Sequence, residues 1–306
     1  MRKFAAIAVS LGLVAALSAC ASGPVTGSDC ADTGNAALVT AEGAAGGELT
    51  TSFPVPLVAD ESSVAAIERG DGARVPADGY VLGTLSLYNG ATGEPLANPS
   101  TGQALTTLPI LMPTREGYVL PFTTLLSCAG AGSRVAIVGP GTELLGADLA
   151  PGLGLKESDS VVVVADVEEV FLGRADGADQ IAESGIPAVV LAPSGQPGFT
   201  FPDSAAPTEE RVVVLKRGGH ASTNEGDSVV VHVTSIGWQA ATVSASTWTN
   251  MEPAVVALDG QDDATLPGVV KDALVGLPVG SQLLVVVPGE SAVVYVVDIL
   301  GITEAQ

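Results

Sequence analysis

The chain has 306 residues, with 34 Asp and Glu against 12 Lys and Arg and a formal charge of −22. That balance argues against nucleic acid as a partner, because no cationic surface is available to displace counterions from phosphates, and against an electrostatic hold on anionic lipid. A hydrophobic content of 47% with 15% charged residues excludes a disordered acidic tail as the main body, and the length suits two domains of ordinary size, each with its own core.

The chain opens on a short cationic stretch, Met1-Arg2-Lys3. Phe4 to Leu17 is apolar, yet too short to span a bilayer as a stable helix. Leu17-Ser18-Ala19-Cys20 places small residues before a cleavage point, as a secretory signal peptide does. It also resembles the lipobox of bacterial lipoproteins, in which the cysteine becomes the first residue and carries the lipid. The reading is a signal peptide over 1–19, lipidation at Cys20, and a chain held by acyl groups on the outer face of the cytoplasmic membrane. A plain signal peptide with an incidental cysteine is the alternative. Cleavage removes Arg2 and Lys3 and no acid, so 10 basic residues face 34 acidic ones and the charge becomes −24. Residues 20–47 are rich in Ala, Gly, Ser, Thr and Asp and read as a flexible tether. Two cysteines remain, Cys30 and Cys128. An exported compartment permits a disulfide between them, and a loop of this length is worth about 4–5 kcal/mol in chain entropy. A reactive thiol would need a neighbouring His or basic cluster to lower its pKa, which the sequence does not offer.

Beyond the tether the chain repeats itself. Glu68-Arg69-Gly70-Asp71-Gly72-Ala73 resembles Lys216-Arg217-Gly218-Gly219-His220-Ala221. Gly132-Ser133-Arg134-Val135 resembles Gly280-Ser281-Gln282-Leu283, at the same offset of 148 residues. Ser160 to Val167 resembles the run from Ser291 to Ile299 at an offset of 132, so the second copy lacks 16 residues between its last two strands. Each copy reads mostly as strand, as in the alternating Val229-Val230-Val231-His232-Val233-Thr234. One short helix is predicted between Pro267-Gly268 and Gly276, with Val269, Val270, Ala273 and Leu274 on one face and Lys271 and Asp272 opposite. Pro121 to Leu126 holds the same place in the first copy. The expected plan is α+β, with antiparallel sheets. It comprises a domain over 48–177, a linker over 178–208 with a hairpin turning at Ala192 to Gly198, and a second domain over 209–306.

Recognisable catalytic chemistry is missing from this plan. His232 alternates with Val231 and Val233 and is expected to face solvent or a cross-strand neighbour; His220 sits in a turn. Neither has partners at metal-ligand spacing. No Gly-x-Ser-x-Gly elbow or phosphate-binding glycine loop stands out. Asp262-Asp263 and Glu209-Glu210 read as solvated turns. No metal and no cofactor are expected.

The second copy carries a resemblance. Gly226-Asp227-Ser228 followed by the Val229–Thr234 run, Trp238, Val243, Ser246 and Trp248, then Pro267-Gly268, Ala273-Leu274-Val275-Gly276, Val279-Gly280-Ser281, Val286-Val287-Pro288 and Val296-Val297-Asp298-Ile299-Leu300-Gly301, are together similar to an FKBP-type (macrolide-binding) peptidyl-prolyl cis-trans isomerase. Two such units behind a lipobox resemble actinobacterial lipoproteins of that family. The resemblance implies two FKBP-like domains, each an antiparallel sheet curled around one short helix. It also implies catalysis without a nucleophile. An X-Pro amide turns through a twisted state over a barrier of about 18–20 kcal/mol, and an apolar, largely aromatic pocket favours that state over the planar one.

Carried over by position, that pocket is Val233, Ser244, Ala245, Val256, Thr265, Leu266, Val269 and Tyr295, of which only Tyr295 is aromatic. In the first copy the offsets give Leu85 for Val233, Pro121 for Val269 and Val163 for Tyr295, with Tyr88, Tyr118 and Phe122 nearby. Trp238 and Trp248 read as core or edge packing. The implied function is an exported isomerase acting on proline-containing or unfolded polypeptides, weak because its pocket is eroded. The alternative is a non-catalytic binding or chaperone-like module on the same scaffold. The acidic surface suits a soluble monomer.

Overall fold

The computed structural model describes residues 27–32, 34–181 and 183–304. The signal segment 1–19 and the lipidation site Cys20 lie outside them. The first half carries β1 (Thr40–Glu42), β2 (Thr50–Ser52), β3 (Ser63–Glu68), β4 (Tyr80–Asn89), β5 (Leu108–Pro113), β6 (Ser133–Pro140) and β7 (Ser160–Phe171). It also holds 3₁₀ turns at Gly34–Leu38 and Pro121–Cys128 and two short helices, α1 (Gly141–Leu145) and α2 (Leu149–Gly152). The second half carries β8 (Ala178–Asp179), β9 (Ala188–Leu191), β10 (Pro197–Thr200), β11 (Arg211–Arg217), β12 (Ser228–Gly237), β13 (Val243–Ser246), β14 (Ala254–Ala257), α3 (Gly268–Leu274), β15 (Gln282–Val287) and β16 (Val293–Thr303). No helix among the described residues is long and apolar enough to cross a membrane.

Two antiparallel sheets form the body. The first runs β3-β6-β7-β4-β5, the second β11-β15-β16-β12, with β13 and β14 sharing the far side of β12 and β8 short against β11. Strands at the offsets read from the sequence hold the same places in both sheets. So do the irregularities: the bulge between Leu82 and Gly83 recurs between Val230 and Val231, and the one between Ala66 and Glu68 recurs between Val214 and Lys216. A bulge re-aims every side chain beyond it, so matched bulges keep the same residues on the same face. The β-branched runs of β7, β12 and β16 are buried on both faces, which fits their near-continuous valine.

The tether and the linker need correction. Cys30 is buried and bonded to Cys128. Ala36, Val39 and Ala41 pack with Leu57, Ala136, Val138, Val162 and Val164 on the outer face of the first sheet. The described part of the expected tether is therefore folded. Its small residues read as a spacer because they are small, and smallness is also what lets them lie close against a sheet. The hairpin of the expected linker does the same for the second sheet, where Ile186, Val189, Phe199 and Phe201 cover Val213, Leu284, Val286, Val294 and Val296. The two hairpins share one register at the 148-residue offset, Thr40 opposite Ser52 and Ala188 opposite Thr200. Each also sets a phenylalanine edge-on to an aromatic ring, Phe53 to Tyr88 and Phe201 to Trp238.

The halves meet through related surfaces. Thr303 donates to Glu169 at 2.9 Å, and a Cβ on Gly301 would overlap the Phe171 ring. At the 132-residue offset Glu169 corresponds to Gly301 and Phe171 to Thr303, so the second contact is the first with its partners exchanged. That exchange is the mark of an isologous, two-fold packing. Tyr80, Phe171, Val230 and Leu300 form the shared apolar patch.

Candidate functional site

In the second half, α3 lies across the inner face of the sheet. Pro267 supplies an extended residue before its first turn, and Asp262 Oδ1 accepts the Gly268 N–H at 2.7 Å, satisfying one of the free amides at the helix start. Val270 and Leu274 are fully buried against Leu283, Val285, Val297 and Ile299. Lys271 corrects the expectation that it faces away from the core: it is 2% exposed, and its ammonium lies 2.7 Å from Asp263 and 3.2 Å from Asp259. Two carboxylates in the preceding loop make burial of the cation tolerable. Asp263 further accepts the N–H groups of Thr265 and Leu266, so the Asp262-Asp263 turn fastens the helix as well as facing solvent.

The eight positions taken from the resemblance separate into two groups. Val233 on β12, Val256 on β14, Leu266 ahead of α3, Val269 within it and Tyr295 on β16 join one hydrophobic cluster between sheet and helix. Ser244 and Ala245 are exposed on the edge strand β13, and Thr265 is half-buried. Tyr295 is half-buried; burial pushes its phenol upward, with the charge of Asp262 adding, so it remains a neutral donor near pH 7. Only Pro288 to Ala292 separates β15 from β16, too short a connection to fold over the cradle. Chemically this is a packed aliphatic cluster with one phenol: Val233, Val256 and Leu266 are buried, which leaves Thr265, Val269 and Tyr295 as its partly exposed edge.

In the first half the same place is filled. Leu85 and Val163 are buried, and Pro121 opens the 3₁₀ turn that replaces α3. The extra residues between β6 and β7 form α1 and α2, which bring Leu144, Leu145, Ala150 and Leu155 into the same core. Phe122 is buried there and Tyr118 packs half-buried at its margin. Tyr88 lies on the opposite face, its hydroxyl accepting from Thr51 at 3.0 Å.

Of the two expectations for His232, solvent or a cross-strand neighbour, the structure excludes the first and shows the second, in Thr247 and Trp248 just beyond the neighbouring β13. His232 is fully buried, its Nε2 2.7 Å from the Tyr80 hydroxyl and its Nδ1 2.7 Å from Thr247 Oγ1, with the ring stacked on Trp248 at 3.8 Å. Burial holds its pKa down to about 3, with the Arg115 charge adding. The Thr247 hydroxyl donates to the Val233 carbonyl at 3.3 Å, so Nδ1 of the neutral ring donates to it and Nε2 accepts from Tyr80, joining the halves. Alternation with valine does put His232 on the outer face; what the pattern does not carry is that the first half covers that face. Trp238 and Trp248 are both buried, as core packing requires.

An antiparallel sheet wrapped on one short helix is the class that the resemblance implies, and the second half has that arrangement. No family model and no curated protein matches the chain. Solved structures similar to it are FKBP-type folds. The three FKBP domains of wheat FKBP73 are 14% identical over 80% of this chain and 95% of that one, with a TM-score of 0.34. FkpA from Escherichia coli is 19% identical over 40% and 54%, with a TM-score of 0.28. A putative peptidyl prolyl cis-trans isomerase, FKBP12 from Mycobacterium tuberculosis, is 18% identical over 34% and 91%, with a TM-score of 0.24.

Proposed function

We propose that the chain is an exported, lipid-anchored protein of the peptidyl-prolyl isomerase type that handles proline-containing or unfolded polypeptides outside the cytoplasmic membrane. Its turnover is weak and confined to the second half. The lipobox at Leu17–Cys20 supports the location. The observation that carries the weakness is the contrast of the two cradles: one is filled by Leu144 and Leu145, and the other keeps Tyr295 as its single aromatic group. The purified mature chain should accelerate cis-to-trans conversion of a proline tetrapeptide only marginally, and Tyr295→Ala should remove most of that acceleration. Turnover at ordinary enzyme levels would refute the eroded cradle. The filled first cradle favours a second reading, a non-catalytic binding module. Complete absence of acceleration, with peptide binding retained, would establish that reading instead.

A further inference from the structure

The related surfaces of the two halves enclose a trough of about 840 Å³ that opens to solvent along their seam. Its walls are built in pairs: Ala73 faces it with Ala221, Ala131 with Val279, and Val170 with Ile302, each pair joined by the repeat offsets. The pairing breaks at one strand end. Glu168 and Glu169 line the trough where the related positions carry Leu300 and Gly301. Among the described residues neither glutamate has a cation at ion-pair distance; Glu168 is 3.5 Å from the Thr84 hydroxyl and Glu169 accepts from Thr303. The basic groups at the rim are already engaged, Arg74 by Asp29 and His220 by Asp176. The trough is therefore apolar with unmatched negative charge, in a chain whose formal charge is −22. Apolar concavities with a few polar groups are where ligands bind, and charge complementarity selects a cationic one.

We propose that this trough holds an extended apolar segment of an unfolded polypeptide that carries lysine or arginine. The proposal rests on the reading of the chain as one that handles unfolded polypeptides, and it places their capture at the seam, away from the cradle under α3. A client held there would keep its prolines free to reach that cradle in turn.

The test is fluorescence anisotropy of the full mature chain with a labelled, proline-free peptide of leucine, valine and lysine. A matched peptide with glutamate for lysine serves as the control. Saturable binding of the basic peptide is expected, weakened by about tenfold or more, roughly 1.4 kcal/mol, by Ala221→Trp, which enters the trough from an exposed position. Ala73→Trp repeats the block from the opposite wall should the first variant fold poorly. Glu168→Gln with Glu169→Gln should weaken the basic peptide and narrow its advantage over the acidic one. The proposal is overturned by absence of saturable binding or by indifference to both tryptophan variants. Binding of dodecyltrimethylammonium without binding of the peptide would also overturn it, in favour of a small amphiphile. The isomerase assay reads the cradle independently, so failure at the seam and failure at the cradle are distinguishable.

Discussion

In the first half Asp166 is met by Arg134, Nε at 2.6 Å from one carboxylate oxygen and Nη2 at 2.9 Å from the other. At the related positions of the second half Asp298 is met by Gln282, whose amide nitrogen donates at 2.7 Å. Both acids are buried. The first has a full counter-charge, and the surrounding loop is tied to the pair: Arg134 donates to the Gly43 carbonyl, and the Gly46 N–H donates to Asp166. The second has an amide and the Ala175 N–H at 2.9 Å. Without a counter-cation in contact, burial raises Asp298 to about 6, against the two hydrogen bonds that oppose it. One scaffold position thus serves as a fixed ion pair in one half and as a titrating acid in the other.

The largest test of this contrast copies the second half into the first. Arg134→Gln leaves Asp166 buried without its cation, and the first half should lose about 3–5 kcal/mol, read as a lower urea midpoint. A loss below about 1 kcal/mol, the worth of an ordinary hydrogen bond, would show that Gly46 and the new amide suffice. Next in size is the pH dependence of the second half. Asp298 titrates near 6 folded and near its ordinary value of 3.8 unfolded, so the folded state holds the proton more tightly. Its contribution is complete below about pH 4 and is lost as pH rises through 6, by about 3 kcal/mol at most. Asp298→Asn should flatten that slope, measured by thermal unfolding from about pH 4 to 7; an unchanged slope would place the titration elsewhere. The smallest effect concerns the seam. Tyr80→Phe removes the donor to His232 and should cost about 1–2 kcal/mol, without changing the pH dependence that Asp298 imposes. If the halves share one unfolding transition, that loss should appear in both.

Much of the fold is legible because the repeat leaves residue-level marks. The paired glycine turns and the Ser133–Ile137 and Ser281–Val285 strands put both sheets in order from the sequence alone. Phe53-Pro54 and Phe201-Pro202, also 148 residues apart, are a further mark, and one that moves both hairpins from spacer to fold. They hide among small residues whose composition reads the same whether they are solvated or pressed against a sheet. Lys271 departs from expectation for a related reason: helical periodicity assigns a cation to solvent, and the carboxylates that receive it lie in a separate loop. Of the cradle, the aliphatic positions are legible by order along the chain. The seam is not, since Tyr80 and His232 are 152 residues apart and no local pattern links them.

Each sheet's outer cover precedes it in the chain. A fragment begun at residue 209 would strip from Leu284, Val286, Val294 and Val296 the cover that Ile186, Val189, Phe199 and Phe201 contribute, and leave Trp238 alone over them. Excision therefore has to respect a boundary near 176–178, where β7 has ended and the short β8 begins. As the chain emerges from its N-terminus the same order works in its favour: each hairpin appears before the strands it will shelter, and the Tyr80 and Phe171 end of the first sheet is closed afterwards by Val230 and Leu300.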